Sequence, residues 1–123
     1  MPTTISGTTG IAAAGLQLSG PYNEGVVNIG SSGTAITLSI AAGTMQTVTM
    51  TGNCTFTMPA SVAGQSFTLI VSTGSGSFTA TFTGVKWAGN TAPTLTVTAS
   101  RFDIFTFINN GTSWFGGSSQ NYT

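Results

Sequence analysis

The sequence contains almost no charged side chains. Two acidic and two basic residues make up 3% of its 123 residues, and histidine is absent. A domain of this size normally has about a quarter of its residues charged. The formal net charge is zero, so the chain has no electrostatic means of attracting nucleic acid or an anionic membrane surface. A protein with so little charge associates readily, and we therefore expect it to work within an assembly.

The side chains that usually carry out catalysis are also scarce. Without histidine, the commonest general base and metal ligand is missing. The only carboxylates are Glu24 and Asp103, which lie far apart in the chain and would have to converge to act as a glycosidase pair. The single cysteine, Cys54, alternates with Phe56 and Met58, a pattern typical of a buried thiol. We predict no enzymatic activity, no metal site and no cofactor.

Long apolar runs and helical periodicity are likewise missing. The apolar run of residues 11–16 is far too short to span a membrane, and no membrane association is predicted. From Thr34 onwards, short runs of alternating apolar and polar residues are separated by turn residues, which predicts about eight strands. Residues 84–93 and 116–123 lack this alternation and are expected to be a connection and a polar tail. The predicted fold is all-β, an antiparallel, jelly-roll-like β-sandwich.

Residues 1–33 differ in composition from the rest of the chain. They are rich in glycine, serine, threonine and small apolar residues, with no sustained period. We expect an extended N-terminal arm over residues 1–33 and a β-sandwich knob over residues 34–123. The arm is expected to add as a strand to an adjacent subunit, and the knob to fold without residues 2–30. The predicted assembly contacts of the arm are Tyr22, Val26, Val27 and Ile29.

Residues 101–108 form the densest apolar run. In an extended strand Phe102, Ile104 and Ile108 point to one face, and Phe105 and Phe107 point to the other. Large apolar groups on both faces predict a central strand covered on both sides. The side chains expected to be largely buried are those of Phe56, Phe67, Leu69, Phe78, Phe82, Ile104 and Phe105.

Two further groups of residues have more than one interpretation. Arg101 and Asp103 are neighbours on one strand face, which predicts a structural ion pair, with a polar contact across a subunit interface as the alternative. Lys86–Trp87 and Trp114–Phe115 could form a platform for sugars, whereas tryptophan in a sandwich more often closes the end of a core.

Three stretches of the sequence together resemble a known module. They are Gly33–Leu38 followed by Thr47–Phe56, then Val85–Leu95, and then Asp103–Phe107 with Gly111–Gly116. They resemble a β-sandwich module of tailed-bacteriophage virion proteins, which occurs at the C-terminal end of tail-fibre proteins and in small virion proteins. The resemblance covers roughly residues 33–117 and implies a structural role, although a fold alone does not determine a function.

The chain departs from the long-fibre form of this module because it has only a short arm where a shaft would be. The resemblance therefore implies a small virion component, such as a capsid decoration (cement) protein on the outer surface of the head. Its expected partners are the major capsid protein or other virion proteins, and such proteins are commonly homo-trimers. The alternative is a tail-fibre or spike module that binds a host-surface receptor.

Overall fold

The structure, a computed structural model, describes residues 14–123. These residues form nine strands and one 3₁₀ turn at Ala88–Asn90, and the prediction of an all-β fold is confirmed. No helix in this part of the chain is long and apolar enough to cross a membrane. The strands are β1 (Val26–Ser31), β2 (Ala35–Thr37), β3 (Met45–Thr49), β4 (Cys54–Thr57), β5 (Ser66–Ser72), β6 (Ala80–Thr83), β7 (Val85–Trp87), β8 (Phe102–Asn109) and β9 (Trp114–Tyr122).

The first six strands alternate between two sheets. The larger sheet has the strand order β1-β3-β5-β8-β9-β7, and the smaller sheet has the order β2-β4-β6. Neighbouring strands among these six pair in parallel. Each successive pair of strands therefore forms one turn of a coil, and three turns stack on one another as in a β-solenoid. One turn takes 19 residues from Val26 to Met45, and the next takes 23 residues from Met45 to Thr68.

The expected antiparallel, jelly-roll-like pairing is not confirmed. Five of the seven ladders within residues 14–123 are parallel, and only β5–β8 and β8–β9 are antiparallel. Alternation along a strand determines which side chains face the core, but it carries no information about the direction of the neighbouring strand. A chain that visits the other sheet between two strands can return in the same direction, and the turn residues are similar in both cases.

The core lies between the two sheets. Of the side chains predicted to be buried, Phe56, Phe67, Leu69 and Phe105 are fully buried, whereas Phe78, Phe82 and Ile104 are only partly buried. Phe82 lies on β6 at the edge of the smaller sheet, where it stacks on Phe56 with ring centroids 5.0 Å apart. The buried apolar residues are Leu38, Val48, Met50, Cys54, Phe56, Met58, Phe67, Leu69, Val71, Leu95, Phe105, Phe107 and Trp114.

Two glycines allow the chain to join the coil to the C-terminal strands. Gly84 has a φ of +81° and is the only residue between β6 in the smaller sheet and β7 in the larger sheet. A left-handed backbone is accessible to glycine at little cost. On β9, a Cβ at Gly116 would lie 2.5 Å from the ring of Trp87, so only glycine lets that ring pack against the strand.

Strand β8 is central in the larger sheet, between β5 and β9, but only one of its faces is covered. Phe105 and Phe107 point into the core and are fully buried. On the other face, the exposed fractions of Phe102 and Ile108 are 43% and 61%, and Ile104 is half-buried. Among the described residues, the prediction that both faces are covered is therefore correct for the inner face and wrong for the outer face.

The predicted boundary of the arm at residue 33 also needs correction. Strand β1 pairs with β3 over Val26–Ser31, so the chain joins the larger sheet eight residues earlier than predicted. Ile29 packs against the core. The six residues of β1 are too few to show a clear alternation of apolar and polar residues in the sequence. Residues 14–25 are exposed and form no strand, and residues 1–13 of the predicted arm lie outside the described residues.

Candidate assembly surface

The side of the larger sheet that faces away from the core is a broad surface, and the only charged residue that its strands place there is Lys86 of β7. We call it the outer face. Threonine, serine, asparagine and glycine fill the positions between its apolar side chains. Its exposed or half-buried apolar residues are Val26, Met45, Ile70, Phe102, Ile104, Ile108, Phe115 and Tyr122.

The outer face extends over the whole of the larger sheet. Six strands about 4.8 Å apart, each about six residues long, span roughly 24 Å by 20 Å, or about 500 Å². The eight apolar side chains of the outer face make up only part of this area, and exposed apolar patches of a few hundred Å² are often functional on soluble proteins. The alternation of these strands, which placed apolar groups on both sides of β8, therefore produces a surface suited to burial against another molecule.

One row of residues at the end of the outer face carries a charge at each edge. The strand registers place Ser66 beside Ile108, Ile108 beside Phe115, and Phe115 beside Lys86 on β7. Towards the opposite edge, Glu24 precedes β1, and its side chain extends inward to Thr44 and to the groove bordered by Ser66 and Ile108. The row thus runs from an acidic residue, across two exposed apolar side chains, to a basic residue.

Grooves on the outer face involve two of the four predicted arm contacts. One groove has a volume of about 650 Å³ and is lined by Tyr22, Asn23, Glu24, Val26, Met45 and Thr68. Tyr22 and Val26 are 67% and 66% exposed, so both are available to a partner. Val27 and Ile29 are half-buried, and Ile29 packs against the protein's own core. The carboxylate of Glu24 accepts a hydrogen bond of 3.0 Å from the Oγ1 of Thr44.

Asp103 is held by hydrogen bonds on the inner side of β8. Its carboxylate accepts bonds from the backbone N–H and the hydroxyl of Thr96, both 2.7 Å, from the Nε2 of Gln120 at 3.1 Å and from the N–H of Asn121 at 2.9 Å. Burial by itself raises the pKa of Asp103, but these bonds outweigh it and lower the pKa.

The bonds to Asp103 connect three parts of the chain, and Arg101 contributes none of them. The structure satisfies this carboxylate with hydrogen bonds rather than with the predicted ion pair. Opposite Asp103, the register of β9 shifts between the partners of Phe102 and Ile104, and the carboxylate accepts from Asn121 in this bulge. The backbone of Arg101 instead makes two bonds with Thr73, whose Oγ1 accepts from the Arg101 N–H at 3.1 Å.

The two tryptophans take part in core packing. Trp114 is 2% exposed, donates from its Nε1 to the carbonyl oxygen of Pro59 at 2.8 Å, and lies edge-on to Phe67. Trp87 packs edge-on against Phe105 and Phe107. This packing supports the interpretation that they close a core rather than form a sugar platform. The exposed aromatic residues are instead Tyr22, Phe102, Phe115 and Tyr122.

Within residues 14–123, no group of three or more histidine, cysteine, aspartate and glutamate side chains is arranged to hold a metal ion. Cys54 is buried, and its burial raises the pKa of the thiol, so this thiol is held in its neutral form. Comparison of the chain with protein-family models, with curated proteins and with solved structures found no match. The function must therefore be inferred from the residues and their placement.

Proposed function

We propose that this chain is a structural virion protein of a tailed bacteriophage. Its most suitable role is that of a capsid decoration protein, which binds the outer surface of the head as a homo-trimer and bridges capsid subunits. The observation that carries this proposal is the large outer face, which has few charges and several exposed apolar side chains. Such a surface is stabilised when it is buried in an assembly. The sequence stretches that resemble phage virion modules determine which kind of assembly we propose.

The exposed segment before β1 supplies a second contact region. Residues 14–25 form no strand, and Leu16, Leu18 and Tyr22 are among the exposed large hydrophobic residues. Strand β1 ends the larger sheet and carries no charged residue that would discourage pairing along its open edge. A strand of the major capsid protein or of another virion protein can add to such an edge through backbone hydrogen bonds, which require no charges.

The mechanism proposed for decoration is binding to the assembled shell only. A protein that binds the assembled capsid and not its separated subunits stabilises the shell by mass action. Bridging neighbouring capsid subunits adds buried surface that must be lost before the shell can open. No catalytic step is involved in this mechanism.

Imaging of whole particles with the protein labelled tests this proposal. Labels distributed over the head, together with a lower temperature of head rupture in particles that lack the protein, are the expected result. Labels confined to the tail would overturn the decoration role. Particles without any label would overturn the virion assignment itself.

A tail-fibre or spike module that binds a host receptor is the second candidate, and one observation favours it. Phe102 and Tyr122 are cross-strand partners on the outer face, and both rings are more than 40% exposed. Aromatic rings with a free surface can pack against a sugar ring. If this role is correct, the purified protein should bind host cells, and Tyr122→Ala should weaken that binding while the protein remains folded.

A further inference from the structure

We infer that the outer face is the surface by which copies of this chain bind one another in a ring, with Glu24 of one copy facing Lys86 of the next. This inference deepens the oligomer in the proposed function, because it names the surface and the residues that pair. It is tested on the isolated protein, so it can fail while the role in the virion stands.

The first argument is the arrangement of charges along one row. Glu24 precedes β1 and Lys86 lies on β7, the two edge strands of the larger sheet. The groove that the side chain of Glu24 borders ends at β8, two strand spacings or roughly 10 Å from β7. They are too far apart to pair within one molecule. The other two charged residues, Arg101 and Asp103, lie outside this row, and Asp103 is fully buried.

The second argument is symmetry. When copies are related by rotation about an axis parallel to the strands, with their outer faces turned towards the axis, the β1 edge of one copy lies next to the β7 edge of its neighbour. Glu24 then lies near Lys86 of that neighbour at every interface, as closed cyclic symmetry requires. This holds for a dimer and for a trimer. An axis perpendicular to the strands would not bring these two edges together.

The third argument is the area and chemistry of the face. In a dimer, burial of about 500 Å² on each copy gives roughly 1,000 Å², which is the lower limit for a specific interface, and a closed trimer buries roughly 1,500 Å² over its three contacts together. Between the two charges lie the exposed side chains of Ile108 and Phe115, whose burial drives association. Threonine and serine at the remaining positions leave no like charges opposed to one another. The face is therefore compatible with its own copy.

Charge reversal at the two edges tests the inference. Wild-type protein should form one oligomer at micromolar concentration, as measured by sedimentation and light scattering. Glu24→Lys and Lys86→Glu should each weaken association by about tenfold to a hundredfold, because each places like charges together at every interface. The double variant Glu24→Lys/Lys86→Glu should restore it. Thr81→Lys is the matched control, because Thr81 lies exposed on β6 in the smaller sheet, and it should leave the oligomer intact.

A mixture of the two single variants tests the closure of the ring. In a dimer, one copy of each variant makes two matched contacts, so the mixture should regain wild-type affinity. In a trimer, one of the three contacts must still oppose like charges, so recovery should be incomplete. Either result supports the inference and reports the number of copies. Recovery in neither the mixture nor the double variant would overturn the pairing of Glu24 with Lys86.

A variant in the apolar part of the row provides an independent test. Ile108→Ser should weaken the oligomer by at least tenfold, whereas Val97→Ser, at an equally exposed site in the connection before β8, should not. Circular dichroism melts of each variant separate loss of association from loss of folding. A wild-type protein that is monomeric at all accessible concentrations, or an oligomer unaffected by Ile108→Ser, would overturn the inference.

Discussion

The inner and outer faces of the larger sheet use similar apolar side chains, but among residues 14–123 only the inner face is covered by a second layer. On β8, Phe105 and Phe107 are fully buried against the smaller sheet, while Phe102 and Ile108 on the opposite side are largely exposed. All four side chains are large and apolar, so hydrophobicity alone does not distinguish the two faces. The difference comes from the coil, which places a second layer on one side of the sheet and none on the other among residues 14–123.

Comparison of the polar residues on the two faces supports the same distinction. The inner face contains Gln46 and Asp103, which are buried and fully engaged in hydrogen bonds to the chain itself. Polar groups on the outer face are hydroxyls and amides that water or a partner can satisfy. A face prepared for a partner must avoid charges that would be costly to bury. In this respect the outer face is already suited to desolvation.

The largest expected effect separates the two faces on one strand. Phe105→Ala should reduce the free energy of unfolding by about 3–5 kcal/mol, because it opens a cavity in the core. Ile108→Ala should reduce it by less than about 1 kcal/mol, since the side chain is mostly exposed. Urea melts should be recorded in the Glu24→Lys background to limit contributions from association. Equal losses for the two variants would show that the outer face is covered within the monomer.

The next effect concerns the first strand of the larger sheet. Deletion of residues 2–31 removes β1 and the packing of Ile29 against the core, and we expect a loss of about 2–3 kcal/mol from this apolar burial. This outcome differs from the sequence prediction that the knob folds unaffected without residues 2–30. A thermal melt identical to that of the intact protein would show that β1 adds nothing to the core.

A smaller effect is expected at the buried carboxylate. Asp103→Asn should cost about 1–3 kcal/mol, because an amide cannot accept from all the donors that surround this site. Thr96→Val removes only one of these donors, the hydroxyl, and should cost less. Unchanged stability of the Asn variant in urea melts would contradict a structural role for this carboxylate.

The same residue predicts a dependence on pH. Since the hydrogen bonds lower the pKa of Asp103 below its usual 3.8, the stability that they provide is complete above about pH 5 and is lost as the pH falls through the folded-state value. Glu24 is the only other acidic side chain in the sequence, so the acid limb of the stability curve can be assigned. In Asp103→Asn the free energy of unfolding should fall much less steeply as the pH decreases. An equally steep fall would show that another group causes the loss of stability.

The strands that carry a row of buried apolar side chains were predictable from the sequence. Cys54, Phe56 and Met58 alternate with threonine and are all buried, as are Phe67 and Leu69. The sequence did not predict β7 or most of β9. Three residues are too few to show alternation in β7, and the glycine- and serine-rich stretch of β9 has weak strand propensity. Both strands form because neighbours in the larger sheet pair with them, which is a tertiary effect.

The candidate site was only partly predictable for a related reason. The exposed arm residue Tyr22 and the strand residue Val26 were identified from composition. The placement of Glu24 and Lys86 at opposite edges depends on the strand order β1-β3-β5-β8-β9-β7, in which first and seventh strands are the two edges. Local patterns do not determine strand order, because it results from the packing of distant segments.

The smallest expected effect on stability has the largest consequence for the proposed assembly. Deletion of residues 2–23 leaves Glu24 and β1 in place, and the residues that it removes from 14 onwards are exposed and form no strand. We expect the melting temperature of the isolated protein to change by less than about 2 °C, since few contacts in the described core are lost. Binding to particles should be abolished, because the deletion removes Leu16, Leu18 and Tyr22. A matched Leu16→Ser/Leu18→Ser variant should weaken that binding without shortening the chain. Normal decoration by both variants would show that residues 2–23 are not the contact with the capsid, and would shift that contact to the exposed edge of β1.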